Sequence, residues 1–157
     1  MQTPDDLAAT PDAARARPLG ARAGDAAWAV GEEVAWVSGL VLAVSSFTAW
    51  YSGSGDFTLS VIGWHTGVIG KLVFFLGLAV VLVVALRRLG IDLPAAVPES
   101  LLVLALGSLA TILVLVRVIS IPEEFLPADG RAIGLWISLA ASIAVIVGGL
   151  LRASEEL

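Results

Sequence analysis

Four long apolar stretches, separated by short polar segments, constrain this chain more than any other feature in it. They cover about residues 34–51, 66–86, 100–120 and 132–151. Each holds roughly 18–22 residues, and at about 1.5 Å rise per residue that length crosses a hydrocarbon core of about 30 Å. At 58% hydrophobic and 15% charged residues, the 157-residue chain lacks the polar shell that four such helices would need in water. The expected fold is therefore all-α: a four-helix transmembrane bundle, up-down-up-down, with short loops that make consecutive helices antiparallel neighbours.

The polar segments mark the ends of the spans. Glu32 and Glu33 precede the first, where a carboxylate suits the positive end of the helix dipole. Trp28 and Trp36 flank its entrance, and Trp50 and Tyr51 its exit, as amphipathic rings do in the headgroup layer. Arg87 and Arg88 stop the second span, and Gly90, Pro94 and Pro98 break the loop after it. The third begins after Glu99 and ends against Pro122. The segment Ser52–His65 opens with the turn signal Ser-Gly-Ser-Gly-Asp and then alternates only partly. It predicts a short extended piece on the membrane face, and a single hairpin there would be marginal. Residues 1–26 hold Pro4, Pro11 and Pro18, mixed charge and no apolar period. They read as a disordered cytoplasmic head before a four-span domain over 27–157. Asp5, Asp6, Asp12 and Asp25 and the late first apolar run do not fit a cleavable signal peptide.

Basic residues predict the orientation. Arg15, Arg17, Arg22, Arg87, Arg88 and Arg152 fall on one side, and Lys71, Arg117 and Arg131 on or near the other. The bias puts both termini and the central loop in the cytoplasm of a bacterial inner membrane. Ser52–His65 and Pro122–Gly130 are then the outer loops. There is no cysteine, so disulfides, thiolate metal sites and a cysteine nucleophile are excluded. There is no asparagine to accept a glycan. A net charge of −5 argues against a nucleic-acid partner. One lysine against eight arginines, in an Ala/Gly/Val-rich chain, suits a GC-rich bacterial genome.

Several short motifs carry a resemblance. They are Phe47-Thr48-Ala49-Trp50-Tyr51, Gly63-Trp64 leading to Gly70-Lys71-Leu72, Arg117 before Ile121-Pro122, and Gly134-Leu135-Trp136. From Gly39 to Leu157 the pattern resembles an uncharacterised group of small four-helix integral membrane proteins from actinobacteria and related high-GC bacteria. The resemblance implies the architecture and no activity.

The candidate chemistry is sparse. Gly70-Lys71 is not a phosphate loop, because His65 and Leu72 stand where that motif needs glycine and Ser/Thr. Lys71 and Arg117 are charges inside spans, near their outer ends. Either they snorkel to the interface, or they face the bundle and form an outer-face cluster with Asp56, Glu123 or Glu124 able to hold the loops, a headgroup or an anionic ligand. No carboxylate lies at mid-depth. Ser45, Ser46, Ser108, Thr111, Ser138 and Ser142 are the polar groups there. That argues against a proton-driven transporter, and such hydroxyls commonly bond to a carbonyl one turn earlier. His65 alone makes no metal site. Small residues recur at four-residue spacing, as in Gly63-Gly67, Gly107-Thr111, Gly134-Ser138-Ser142 and Ala140-Ala144-Gly148, and let helices pack closely within one chain or between chains.

No constellation suggests an enzyme, a cofactor or a metal. The expected function is that of a structural or accessory interaction protein of the cell envelope. Its partners are the lipid bilayer and possible further membrane proteins or copies of itself. The alternative is a small-molecule or lipid-handling protein, or a passive pore.

Overall fold

A computed structural model describes residues 19–53, 59–91, 98–120 and 130–156. Four helices dominate: α1 (Leu19–Ser45), α2 (Val68–Arg88), α3 (Glu99–Ile119) and α4 (Ile133–Glu156). All four are long and apolar enough to cross a membrane, with candidate spans at Ala26–Ser45, Val68–Arg88, Glu99–Ile119 and Ile133–Ser154. The fold is an all-α four-helix bundle. Three short strands join it: β1 (Ala49–Gly53), β2 (Leu59–Ile62) and β3 (Gly130–Arg131).

The helices form a ring in which α1 touches α2 and α4, and α3 touches α2 and α4. Glycines set how closely they approach. A Cβ on Gly148 of α4 would lie 2.9 Å from Ala35 N and 3.0 Å from Gly31 O of α1. One on Gly77 of α2 would lie 2.7 Å from Ala43 N, also on α1. One on Gly107 of α3 would lie 3.1 Å from Ile146 N of α4. In lipid, where apolar side chains gain little by leaving the solvent, such backbone contacts are what hold helices together. No glycine contact of this kind joins α2 to α3 among the described residues, and that interface is the sparsest of the four. The row Gly134, Ser138, Ser142 is buried inside the bundle, whereas Ala140 faces outward. Gly63 lies in a 3-10 turn (Gly63–His65) before α2 and belongs to no helical row.

The first helix departs from expectation at both ends. Residues 19–26, expected in the disordered head, are helical. The Ala-rich stretch over these residues favours a helix. Residues 1–18 lie outside the described residues. At the other end α1 stops at Ser45, and Trp50 and Tyr51 lie in β1 rather than at a helix exit. The cause is local. The Ser45 carbonyl accepts from the Thr48 hydroxyl at 2.6 Å, the Trp50 indole at 3.0 Å and the Thr48 amide at 3.1 Å. Three donors on one carbonyl end the ladder and turn the chain.

The extended piece foreseen after the first span is part of a sheet ordered β2-β1-β3, antiparallel throughout. Tyr51 pairs with Val61 on one side and Arg131 on the other. The register shifts between Ala49 and Tyr51, so Trp50 is an extra residue in the ladder. That bulge lets the consecutive Trp50 and Tyr51 both be fully buried, which regular alternation forbids. The third strand and the packing on α4 give the hairpin the support it would lack alone.

Candidate functional site

The polar groups gather at the two ends of the bundle, with a thin hydroxyl layer between. In that layer Ser45 Oγ and Ser138 Oγ lie 2.7 Å apart, across α1 and α4. Ser45 also reaches Leu42 O at 2.7 Å and Ser138 reaches Gly134 O at 2.9 Å. Thr111 donates to Gly107 O and Ser142 to Leu139 O. These four hydroxyls are engaged in packing, whereas the buried Ser46 Oγ has no hydrogen-bond partner among the described residues.

At the sheet end lie both cations singled out from the sequence. Lys71 is exposed, its Nζ 5.9 Å from the Trp64 ring centroid. Trp64 stacks on Phe47 at 5.4 Å and meets Phe74 edge-on. Arg117 is half-buried, and its Nη2 donates to the Thr66 carbonyl. Its own carbonyl accepts from the Tyr51 hydroxyl at 2.9 Å. Burial pushes the Tyr51 phenol above its ordinary value of 10, against the opposing pull of Arg117 and Arg131. Lys71 therefore rests on an aromatic ring and Arg117 on backbone oxygen. Asp56, Glu123 and Glu124 lie outside the described residues. Gly67, between the 3-10 turn and α2, holds φ +84, a conformation that favours glycine.

The opposite end carries a denser ionic cluster that sequence reasoning missed. Glu99 opens α3 and is almost fully buried. Its Oε2 lies 2.6 Å from Arg87 Nη1 at the end of α2, and its Oε1 lies 2.6 Å from Arg152 Nη2 near the end of α4. Arg152 has 0% side-chain exposure. Its approach to Glu99 is close but not aligned as a hydrogen bond, and its Nε and Nη1 find no hydrogen-bond partner among the described residues. Trp28 of α1 faces both guanidinium groups, at 4.8 Å from Arg87 Cζ and 5.7 Å from Arg152 Cζ. One carboxylate, two arginines and one indole thus tie all four helices. Beside them Arg88 pairs with Glu32 and Glu33, each at 2.7 Å, and lies over Trp36 at 5.2 Å. Glu99 and Arg152 read singly as a cap and a tail. The signal that finds them is topological: the end of α2, the start of α3 and the end of α4 all arrive at one place.

Between α1 and α4 a cavity of about 570 Å³ opens on the bundle's outer face. Val34, Val37 and Val41 form one wall, Ile137, Ala140 and Ala144 the other, and Glu33 is its one charged lining residue. Ser38 adds a hydroxyl, but that group donates within α1 to Val34 O and Ala35 O. Among the described residues no three His, Cys, Asp or Glu side chains gather as metal ligands would. Comparison with known protein families, with curated proteins and with solved structures finds no match.

Proposed function

We propose that this protein is a structural or accessory component of a bacterial cytoplasmic membrane, acting through contacts rather than catalysis. Both termini face the cytoplasm, and the charged end of the bundle lies on that side. The observation that supports the reading is where the polar groups are used. The Ser45–Ser138 contact, the Glu99 cluster and the Arg88 pairs join one helix to another, and the other bonded hydroxyls are spent on their own helices. That leaves the outer surface, with its α1–α4 groove, as the place of interaction with lipid and with a membrane partner. The resemblance to the actinobacterial four-helix group belongs to the same reading.

Two experiments test it. Single cysteines at Ser54, Ala95 and Ala128, in this cysteine-free chain, are exposed to an impermeant thiol reagent on intact cells. Labelling at positions 54 and 128 alone is expected, and labelling at 95 alone inverts the orientation. Purification in mild detergent from its own membrane is expected to retain a stoichiometric protein partner. A chain that purifies alone, and that conducts ions or solutes in vesicles, overturns the accessory reading in favour of a pore. A second reading, lipid handling, has the groove itself in its favour.

A further inference from the structure

The groove between α1 and α4 runs inward from the charged end. Its mouth is at Glu33, which is 65% exposed and shares Arg88 with Glu32. Arg88 is 37% exposed at the same level, and its contacts there use Nε and Nη2. From Glu33 to Val41 the α1 wall is about 12 Å long, at about 1.5 Å per residue. Half of a hydrocarbon core is about 15 Å. The groove therefore reaches from the interface through most of one leaflet, as a single acyl chain does.

The walls ask for an apolar occupant, because the Ser38 hydroxyl is already engaged within α1. The groove is open along the lipid-facing side, so a hydrocarbon chain, thin and flexible, can lie along it. The mouth then selects the headgroup. Arg88 stands beside the groove rather than in its wall and pairs with Glu33 at 2.7 Å, and both groups stay exposed, so the pair presents a carboxylate side to an ammonium and a guanidinium side to a phosphate. A purely anionic headgroup would meet Glu33 unfavourably, and one carrying both an ammonium and a phosphate would satisfy both.

We propose that the groove holds one acyl chain of an ammonium-bearing zwitterionic phospholipid, its ammonium on Glu33 and its phosphate on Arg88. This deepens the bilayer contact of the reading above and rests on the chain being membrane-embedded. It does not depend on a protein partner, so lipid retention and partner retention fail separately.

The test is native mass spectrometry of the full chain in mild detergent, after incubation with an equimolar mixture of phosphatidylethanolamine and phosphatidylglycerol of identical acyl chains. Retention of one phosphatidylethanolamine per chain is expected, at least fivefold over phosphatidylglycerol. Glu33→Gln should bring that preference close to onefold, and Arg88 keeps Glu32 as a partner in this variant. Ala140→Trp, a change on the outward face, should fill the groove and remove retention of both lipids. Equal retention by the unaltered protein overturns the headgroup assignment. A preference that survives both variants, or one that survives whichever of the two folds, overturns the site. A lipid-free dimer broken by Ala140→Trp assigns the groove to a second copy instead.

Discussion

The two ends of this bundle meet one physical problem in different ways. Where helices stop near a membrane surface, their last backbone groups and any flanking charges need partners. At the charged end, side chains partner the flanking charges: Glu99 holds Arg87 and Arg152, and Glu32 and Glu33 hold Arg88. At the sheet end, backbone supplies most of the partners. Strands pair, Trp50 O accepts from Ala132 N at 2.8 Å, and the arginines Arg117 and Arg131 donate to carbonyls of Thr66 and Val118. Glu99 stands at the start of its helix, and Arg87, Arg88 and Arg117 stand in the last turns of theirs, so the helix dipoles favour each charge where it is. The difference lies in how a loss propagates. An ion cluster without one member leaves a buried charge, whereas a sheet without one side chain keeps its ladder.

The comparison breaks most easily at Glu99. Glu99→Gln leaves Arg152 buried without a counter-charge, and breaking a buried pair this way costs roughly 3–5 kcal/mol. Thermal unfolding in mild detergent should show this as the largest single loss in the protein. Adding Arg152→Met should recover much of it, giving strong non-additivity. A near-neutral Glu99→Gln would mean the cluster is wet and the two ends are alike.

Next in size is a steric change at the sheet end. A Cβ on Gly70 would lie 1.7 Å from Gly63 O, which is backbone and cannot turn aside. Gly70→Ala should cost about 1–3 kcal/mol through displacement of the 3-10 turn. Retention of wild-type stability in the same melt would show that the turn yields freely.

Tyr51→Phe removes one hydrogen bond, to Arg117 O, and should cost about 1 kcal/mol. It also carries a signature in pH. Because burial raises the Tyr51 phenol, the unfolded chain ionises first as pH climbs past about 10. Stability from this group is fully present below that pH and is lost above it. The wild type should therefore weaken in alkaline solution, and Tyr51→Phe should weaken less steeply. Equal slopes would place the phenol in water.

The smallest effects belong to the two cations first noticed in the sequence. Lys71→Met should change stability by less than about 0.5 kcal/mol, as exposed substitutions do. Arg117→Met should cost about 1 kcal/mol by releasing the Thr66 carbonyl. The double variant should be additive, since one residue rests on Trp64 and the other on backbone. Strong coupling between them would restore the shared cluster and make the two ends more alike than they stand.

Composition and spacing alone determine that this chain makes four apolar helices of membrane length, because an apolar stretch of that size has one way to satisfy its backbone in lipid. The stops at Arg87-Arg88 and before Glu99 were legible for the same reason: charge resists burial wherever it stands. The early end of α1 at Ser45 was not legible, since it depends on Thr48 and Trp50 folding back on one carbonyl. Nor was the third strand, which pairs residues 51 and 131 across about half of the chain. The candidate site shows the divide most sharply. Lys71 and Arg117 stood out because each is a lone charge in an apolar run, a local property. Glu99 and Arg152 look ordinary in sequence, and only the packing of the helices places one carboxylate between two arginines. Local chemistry sets what each segment must become, and tertiary structure decides which charges meet, because an ion pair is a relation between positions far apart in the chain.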